Sequence, residues 1–279
     1  MTSPARPVFG PYDQTQLDLQ FNNRARVPDH PTYLARYPEA SARARAVLGG
    51  RLDLAYGPGP RQKLDLFMPS ASGRRVPVLV FIHGGYWQAL DKSHFSFLAR
   101  PWLRAGAAFA AIGYPLCPDV IMDGLVASVR AGIAWLAAEA DTLGLDARRM
   151  VVTGHSAGGH LTAMAMTGPG PDLAGGIALS GLYDLEPIRL CYLNAALRLD
   201  ADMARRLSPV HLPPPRGGRL VLTVGGAESE EYHRQQDMLA DAWKLEARSL
   251  AGLDHFAIVD TLADPGHPVF QMAADLLGL

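Results

Sequence analysis

Gly154-His155-Ser156-Ala157-Gly158 sets a serine among small residues, with a β-forming run before it and a helix-forming run after it. A serine hydroxyl is a poor nucleophile in water. It becomes a useful one on a sharp strand-to-helix turn, where its oxygen is exposed beside the free amides and positive dipole end of a helix. The chemistry this pattern serves is acyl transfer through a serine ester. That reaction also needs donors for the negative oxygen that develops on the attacked carbonyl, and losing one aimed donor costs about 3 kcal/mol of transition-state stabilisation. The turn His83-Gly84-Gly85 can supply them. The amides of Gly85 and Tyr86, with that of Ala157 after the serine, are the expected oxyanion donors, and Gly84 permits the turn. The plainer alternatives are a helix cap at Ser156 and a simple strand-ending turn at Gly84-Gly85.

Those residues must be carried by elements that end side by side. Arg51–Tyr56 and Gln62–Phe67 read as strands around the Gly57-Pro58-Gly59-Pro60 turn, an edge hairpin. Val76–Ile82 is an apolar, largely β-branched run stopped by the glycine turn, which suits a strand buried on both faces. A helix over Asp91–Arg104 and a strand over Ala108–Tyr114 follow. Met122, Leu125, Val126, Val129, Ile133 and Leu136 then recur at helical spacing. Met150–Thr153 is a short strand entering Gly154, and Gly158–Met166 a helix. Gly176–Ser180, Arg219–Val224 and Leu245–Leu250 are three more strands, Pro209–Gly218 is a surface loop, and Val269, Met272, Ala273 and Leu276 lie on a closing helix. Strands alternating with helices imply a mostly parallel sheet of about eight strands, covered by helices on both faces. Residues 1–50 stand apart as an N-terminal arm with a helix over Pro38–Leu48.

The totals narrow the function. With 279 residues, 48% of them apolar, the chain can bury one sizeable core. Its 26 basic and 27 acidic residues give a formal charge of -1, which argues against a nucleic acid or an anionic membrane surface as partner. A neutral or amphiphilic small molecule fits better, and a homodimer is compatible. Met1–Gly10 has no apolar run of the secretory kind, and the apolar stretches are too short to span a bilayer, so a cytoplasmic protein is expected. Cys117 and Cys191 form no CxxC pair and stand at no metal-ligand spacing with a histidine, so both are expected to be reduced packing residues. No metal or other cofactor is called for.

His83-Gly84-Gly85-Tyr86-Trp87 together with Gly154-His155-Ser156-Ala157-Gly158-Gly159 resembles the kynurenine formamidase (arylformamidase) branch of the esterase-lipase α/β-hydrolases. Similarity extends through the Tyr12–Pro31 arm, Ser180-Gly181-Leu182-Tyr183-Asp184-Leu185, Glu228-Ser229 and Leu253-Asp254-His255-Phe256, and so covers most of the chain. The resemblance implies one α/β-hydrolase domain over 1–279, with a small cap or none and the arm packed on or near the site entrance. It also implies removal of a formyl or other small acyl group from an aryl amine or alcohol. The nearest alternative is a general short-chain carboxylesterase. A non-catalytic relative that binds a ligand would usually lack the serine or the histidine, and a serine peptidase would need a domain to gate peptides.

The family order is Ser, then acid, then His. His255 fits the base, because it follows a late strand on a short loop containing Gly252. His233 falls in a helix, His211 in the proline-rich loop, and the main rival His267 at a helix start. Glu228, on the loop after Arg219–Val224, fits the acid, where relatives often carry Asp. Glu230 and Glu231 suit the helix that follows, Asp184 a turn or cap, and Asp254 is expected to point away. Tyr86, Trp87, Phe95 and Tyr192 are candidates for an aromatic wall around an aryl leaving group, although such residues are as often core. His155 and His160 are expected to be packing or surface residues.

Overall fold

The computed structural model describes residues 6–70 and 74–279 of the chain, so the first half of the segment read for a secretory signal lies outside them. Eight strands form one sheet: β1 (Arg51–Ala55), β2 (Lys63–Phe67), β3 (Val76–Ile82), β4 (Ala108–Ile112), β5 (Leu145–His155), β6 (Gly175–Leu179), β7 (Arg219–Gly225) and β8 (Glu246–Leu250). Their order is β1-β2-β4-β3-β5-β6-β7-β8. The β1/β2 and β2/β4 pairings are antiparallel and the rest parallel. Parallel pairing sends the ends of β3, β5, β7 and β8 to the same edge, where an open α/β sheet binds its ligand.

All seven residues of β3 are buried. Alternation divides them between two cores: Val78, Val80 and Ile82 pack with Leu125, Val129, Ile133 and Leu161 on one face, and Leu79 and Phe81 with Trp102, Val269 and Phe270 on the other. Helices Met122–Ala138, Ala157–Met166 and Glu230–Trp243 cover the first face; Ala99–Ala105, Pro268–Leu277 and the long helix His30–Leu48 cover the second. The sheet of about eight strands with helices on both faces agrees with the sequence reading. Among the described residues no helix is long and apolar enough to cross a membrane. Cys117 and Cys191 are free and buried, and burial pushes their thiols up to about 11 and about 12, so both stay protonated at neutral pH.

Three elements differ from expectation. The short strand expected over Met150–Thr153 is part of the 11-residue β5, Leu145–His155. Asp91–Arg104 is not one helix: it forms two short 3-10 turns, Lys92–His94 and Ser96–Leu98, before the helix Ala99–Ala105. Pro101 accounts for this, since a proline has no amide hydrogen and its ring clashes with the carbonyl four residues back, so a helix without other support starts close to it and holds it in the first turn. The arm helix begins at His30 and runs through Pro38. Tertiary bonds hold the turn before that proline: Arg36 pairs with Asp260 at 2.6 Å, and the Tyr37 hydroxyl donates to the Phe256 carbonyl at 2.8 Å.

The 3-10 turns after the glycine motif are pinned to the hairpin by Lys92, whose Nζ lies 2.6 Å from Asp65 and 2.9 Å from Asp53. Only 2% of the Asp65 side chain is exposed. Lys92→Met leaves that buried carboxylate without its cation and should destabilise the fold by about 3–5 kcal/mol, whereas Lys92→Met combined with Asp65→Leu should recover much of the loss. Denaturant titration of the two variants reads the difference.

Candidate active site

Ser156 sits between β5 and the helix Ala157–Met166 with φ 57° and ψ −119°, a conformation that L residues avoid and that aims the side chain out of the turn. Its amide donates to the Leu179 carbonyl at 2.8 Å, and its carbonyl accepts from Gly159 at 2.8 Å. Two glycines permit the turn. A Cβ on Gly158 would lie 2.0 Å from the Ile82 carbonyl oxygen, and one on Gly84 would lie 2.8 Å from the His155 carbonyl oxygen and 3.1 Å from the Ser156 Cβ. The end of β3 therefore runs directly against the serine turn. Past Gly84, Tyr86 and Trp87 both hold positive φ, 49° and 58°.

Gly85, Tyr86, Ser156 and His255 line one cavity of about 460 Å³. Ala157 follows the serine as the first residue of its helix and is fully buried; its side chain is not part of the cavity wall. A first-turn amide has no partner within its own helix. The Gly85 carbonyl accepts from the amides of Gln88 and Ala89 at 3.0 Å each, which closes the turn.

His255 Nδ1 lies 2.6 Å from Glu228 Oε2, and both side chains are almost wholly buried. The carboxylate is held by its other oxygen: Oε1 accepts from the Gly225 amide at 2.8 Å and from the Ser180 hydroxyl. Ser180, itself at φ 49°, ends the strand expected over Gly176–Ser180, and the sequence assigns it no contact. The rival groups are occupied elsewhere. Asp254 Oδ1 accepts from the amides of Phe256 and Ala257, Asp184 pairs with Arg234, and His267 caps the helix Pro268–Leu277. Glu230 and Glu231 open the helix Glu230–Trp243.

The cavity wall departs from expectation in two respects. Trp87 is not part of it: the indole is fully buried behind the wall and donates to His160 Nδ1 at 3.2 Å. Its backbone at φ 58° lies in a turn that sequence patterning does not resolve, and of the two readings open for Trp87, wall or core, the structure places it in the core. His155, expected to pack or face solvent, does line the cavity, its ring 4.6 Å from that of His255. Phe95 and Tyr192 lie on the wall, Tyr192 half-exposed. The arm contributes Phe21, Asn22, Asn23, Arg24, Leu34 and Tyr37, and among the described residues Arg24 is the one lining residue with a fixed charge. Tyr232 was missed altogether. Its ring is 4.8 Å from that of His255, and its hydroxyl accepts from Asn23 Nδ2 and lies 2.8 Å from the Tyr86 hydroxyl. Its place among the buried positions of an amphipathic helix gave the only available sign, and that sign reads as core. Among the described residues no cluster of three or more His, Cys, Asp or Glu side chains is placed to hold a metal ion.

Comparison with known proteins bears on this arrangement. The BD-FAE family model matches residues 64–173. Kynurenine formamidase of Salmo salar is 29% identical over 264 residues, 88% of each chain. That of Drosophila melanogaster is 32% identical over 230 residues, 75% of this chain and 76% of the fly protein. The chain belongs to the kynurenine formamidase-like branch of the α/β-hydrolases. Its fold is similar to a solved structure from Silicibacter sp. described as a candidate thioesterase, with TM-score 0.85, 32% identity, and 95% of this chain and 99% of that one covered. It is similar in fold also to esterase B of Lactobacillus rhamnosis, with TM-score 0.68, 18% identity, and 92% and 96% covered. This member of the kynurenine formamidase-like branch is thus a hydrolase acting on amide or ester bonds.

Burial shapes the titration of the neighbouring histidines. It holds His155 well below the ordinary range, and lowers His83 and His160 from 6.5 to about 4, so all three rings are neutral at neutral pH. Unfolded, the last two take up a proton near pH 6.5; folded, only near pH 4. Between these values the unfolded chain binds more protons, so stability is full above pH 6.5 and falls as pH drops toward 4, by about 1.4 kcal/mol per pH unit for each ring. His160→Gln should show a shallower decline in unfolding midpoint across that window; an unchanged slope would remove His160 from the account.

Proposed function

We propose that this hydrolase removes a small acyl group, formyl or acetyl, from an aryl amide or ester through an acyl-enzyme on Ser156. The observation that carries the reading is the buried Glu228–His255 pair, 2.6 Å apart, opening on the same cavity as a serine held at a strained turn. In this mechanism Glu228 keeps Nδ1 protonated and leaves Nε2 free to accept. His255 takes the Ser156 proton as the oxygen attacks the acyl carbon, and then delivers it to the departing amine or alcohol. Water, deprotonated by the same ring, releases the carboxylic acid. The amides of Gly85, Tyr86 and Ala157 receive the oxyanion. Tyr192 and Phe95 on the wall suit an aryl leaving group, and the name of the relatives supplies the first compound to try, N-formylkynurenine.

The test compares N-formylkynurenine with p-nitrophenyl acetate and butyrate. Wild type should cleave the formamide and the short ester, and Ser156→Ala should lose about 10⁴-fold or more on both. Cleavage of the esters with the formamide left intact would move the assignment to a short-chain carboxylesterase. Glu228→Ala should lower kcat by about 10⁴-fold in a protein that still folds, and near-normal turnover would transfer the acid role to Asp254 or Asp184.

A further inference from the structure

The end of β6 ties two loops of the site together through neighbouring residues. The Leu179 carbonyl accepts from the Ser156 amide at 2.8 Å, and the next residue, Ser180, donates through its hydroxyl to Glu228 Oε1. Both Ser180 and Glu228 are buried. The Ser180 amide donates to the Thr223 carbonyl of β7 at 2.7 Å, so its backbone is fastened to the strand that leads into the Glu228 loop. Its φ of 49° is one that L residues avoid.

The carboxylate meets three donors. Oε1 accepts from the Gly225 amide at 2.8 Å and from Ser180, and Oε2 lies 2.6 Å from His255 Nδ1. Among the described residues Ser180 is therefore the one side-chain donor on Glu228 besides the imidazole. Donors to a carboxylate fix its plane and draw off part of its charge, so what Oε1 gives to Ser180 is withheld from a protonated ring at Oε2.

We propose that Ser180 is a positioning residue for the hydrolytic relay, whose hydroxyl holds the Glu228 carboxylate in plane for His255 Nδ1 and tempers the charge presented to the protonated ring. The inference rests on Ser156, Glu228 and His255 acting as proposed above. Without the hydroxyl, the carboxylate keeps more charge for the imidazolium, which then releases its proton at higher pH. It is also freer to turn from Nδ1, which slows turnover.

The other titratable groups around the pair are the same whether or not the hydroxyl is present. His155, at the end of β5 with its ring 4.6 Å from that of His255, is held neutral by burial. Tyr232, 4.8 Å away on the helix Glu230–Trp243, and Tyr183, which crowds Gly181 beside Ser180, stay protonated because burial raises their hydroxyls. On that helix Glu231 is paired with Arg234. Asp254 is bonded to the amides of Phe256 and Ala257, and from the arm Arg36 is paired with Asp260, His30 stacks on Phe256 and Arg24 lines the cavity. A shift between wild type and a Ser180 variant therefore reads the carboxylate.

The experiment follows p-nitrophenyl acetate hydrolysis against pH in wild type, Ser180→Ala and Ser180→Gly, the glycine accepting positive φ without strain. Both variants should move the low-pH inflection of kcat/KM up by about 0.5 unit or more, lower kcat above it about 3- to 30-fold, and change KM less than about 3-fold. A serine that only packs would lower the unfolding midpoint and leave the inflection where it is. An unmoved inflection in either folded variant overturns the proposal. Should both fail to fold, Ser180→Cys decides, since a thiol keeps the bulk but donates weakly: a smaller upward shift supports the proposal, and no shift ends it. Full activity in Ser156→Ala, or near-normal turnover in Glu228→Ala, would instead bring down the relay itself; loss of activity in both beside an unmoved inflection in Ser180→Ala removes only the role of Ser180.

Discussion

The site depends on how closely two strand ends can approach. β3 and β5 are neighbours in the sheet, and the turns that leave them touch: position 158 has no room for a side chain beneath the Ile82 carbonyl, and position 84 none above the serine turn. This contact fixes the distance between the main-chain groups after β3 and the hydroxyl after β5. Positive φ gathers at the same place, at Ser156, Tyr86 and Trp87. Such strain persists only where surrounding packing over-determines it. Here the fully buried β3 and the two cores on either side of it provide that packing.

The acid and the imidazole come from the far side of the sheet, and the arm braces both of their loops. The helix Gln14–Phe21 meets the loop after β7, where the Ser229 hydroxyl donates to the Gln20 carbonyl at 2.7 Å and the Tyr12 hydroxyl to Glu230 at 3.1 Å. The helix His30–Leu48 meets the loop after β8 through Tyr37, Arg36 and the stacking of Tyr33 on Phe256 at 5.8 Å. Between those helices Asn23 donates to the hydroxyls of Tyr86 and Tyr232. Among the described residues 6–50 none adds a strand to the sheet, yet this arm contacts the surroundings of all three expected catalytic side chains. The imidazole–carboxylate bond is further protected by the two donors on Glu228 Oε1, which leave Oε2 to His255.

Much of this was legible in the sequence, for identifiable reasons. Strands such as Val76–Ile82 are apolar on both faces and bounded by glycine, so their limits are marked by composition. The neighbourhood of Ser156, Glu228 and His255 was legible because each follows a recognisable strand on a short loop. What escaped depends on tertiary geometry. Pro101 divides Asp91–Arg104 in a way that apolar spacing does not register, and the Tyr86–Trp87 turn reverses side-chain direction without a glycine at either position. Tyr232 and Ser180 carry no local mark, since a buried tyrosine on an amphipathic helix and a serine at a strand end look like core and cap. Their side-chain hydrogen-bond partners, Glu228 for Ser180 and Asn23 for Tyr232, lie 48 and 209 positions away.

The arm's position has an evolutionary consequence. Phe21, Asn22, Asn23 and Arg24 form part of the cavity wall, but they lie on a segment whose backbone is independent of the sheet's hydrogen-bond ladder. Substitutions there alter the shape and charge presented to an incoming molecule while leaving the strand pairings that define the scaffold intact. Divergence among relatives in what they accept can therefore accumulate in a short N-terminal stretch, with the reactive centre inherited unchanged.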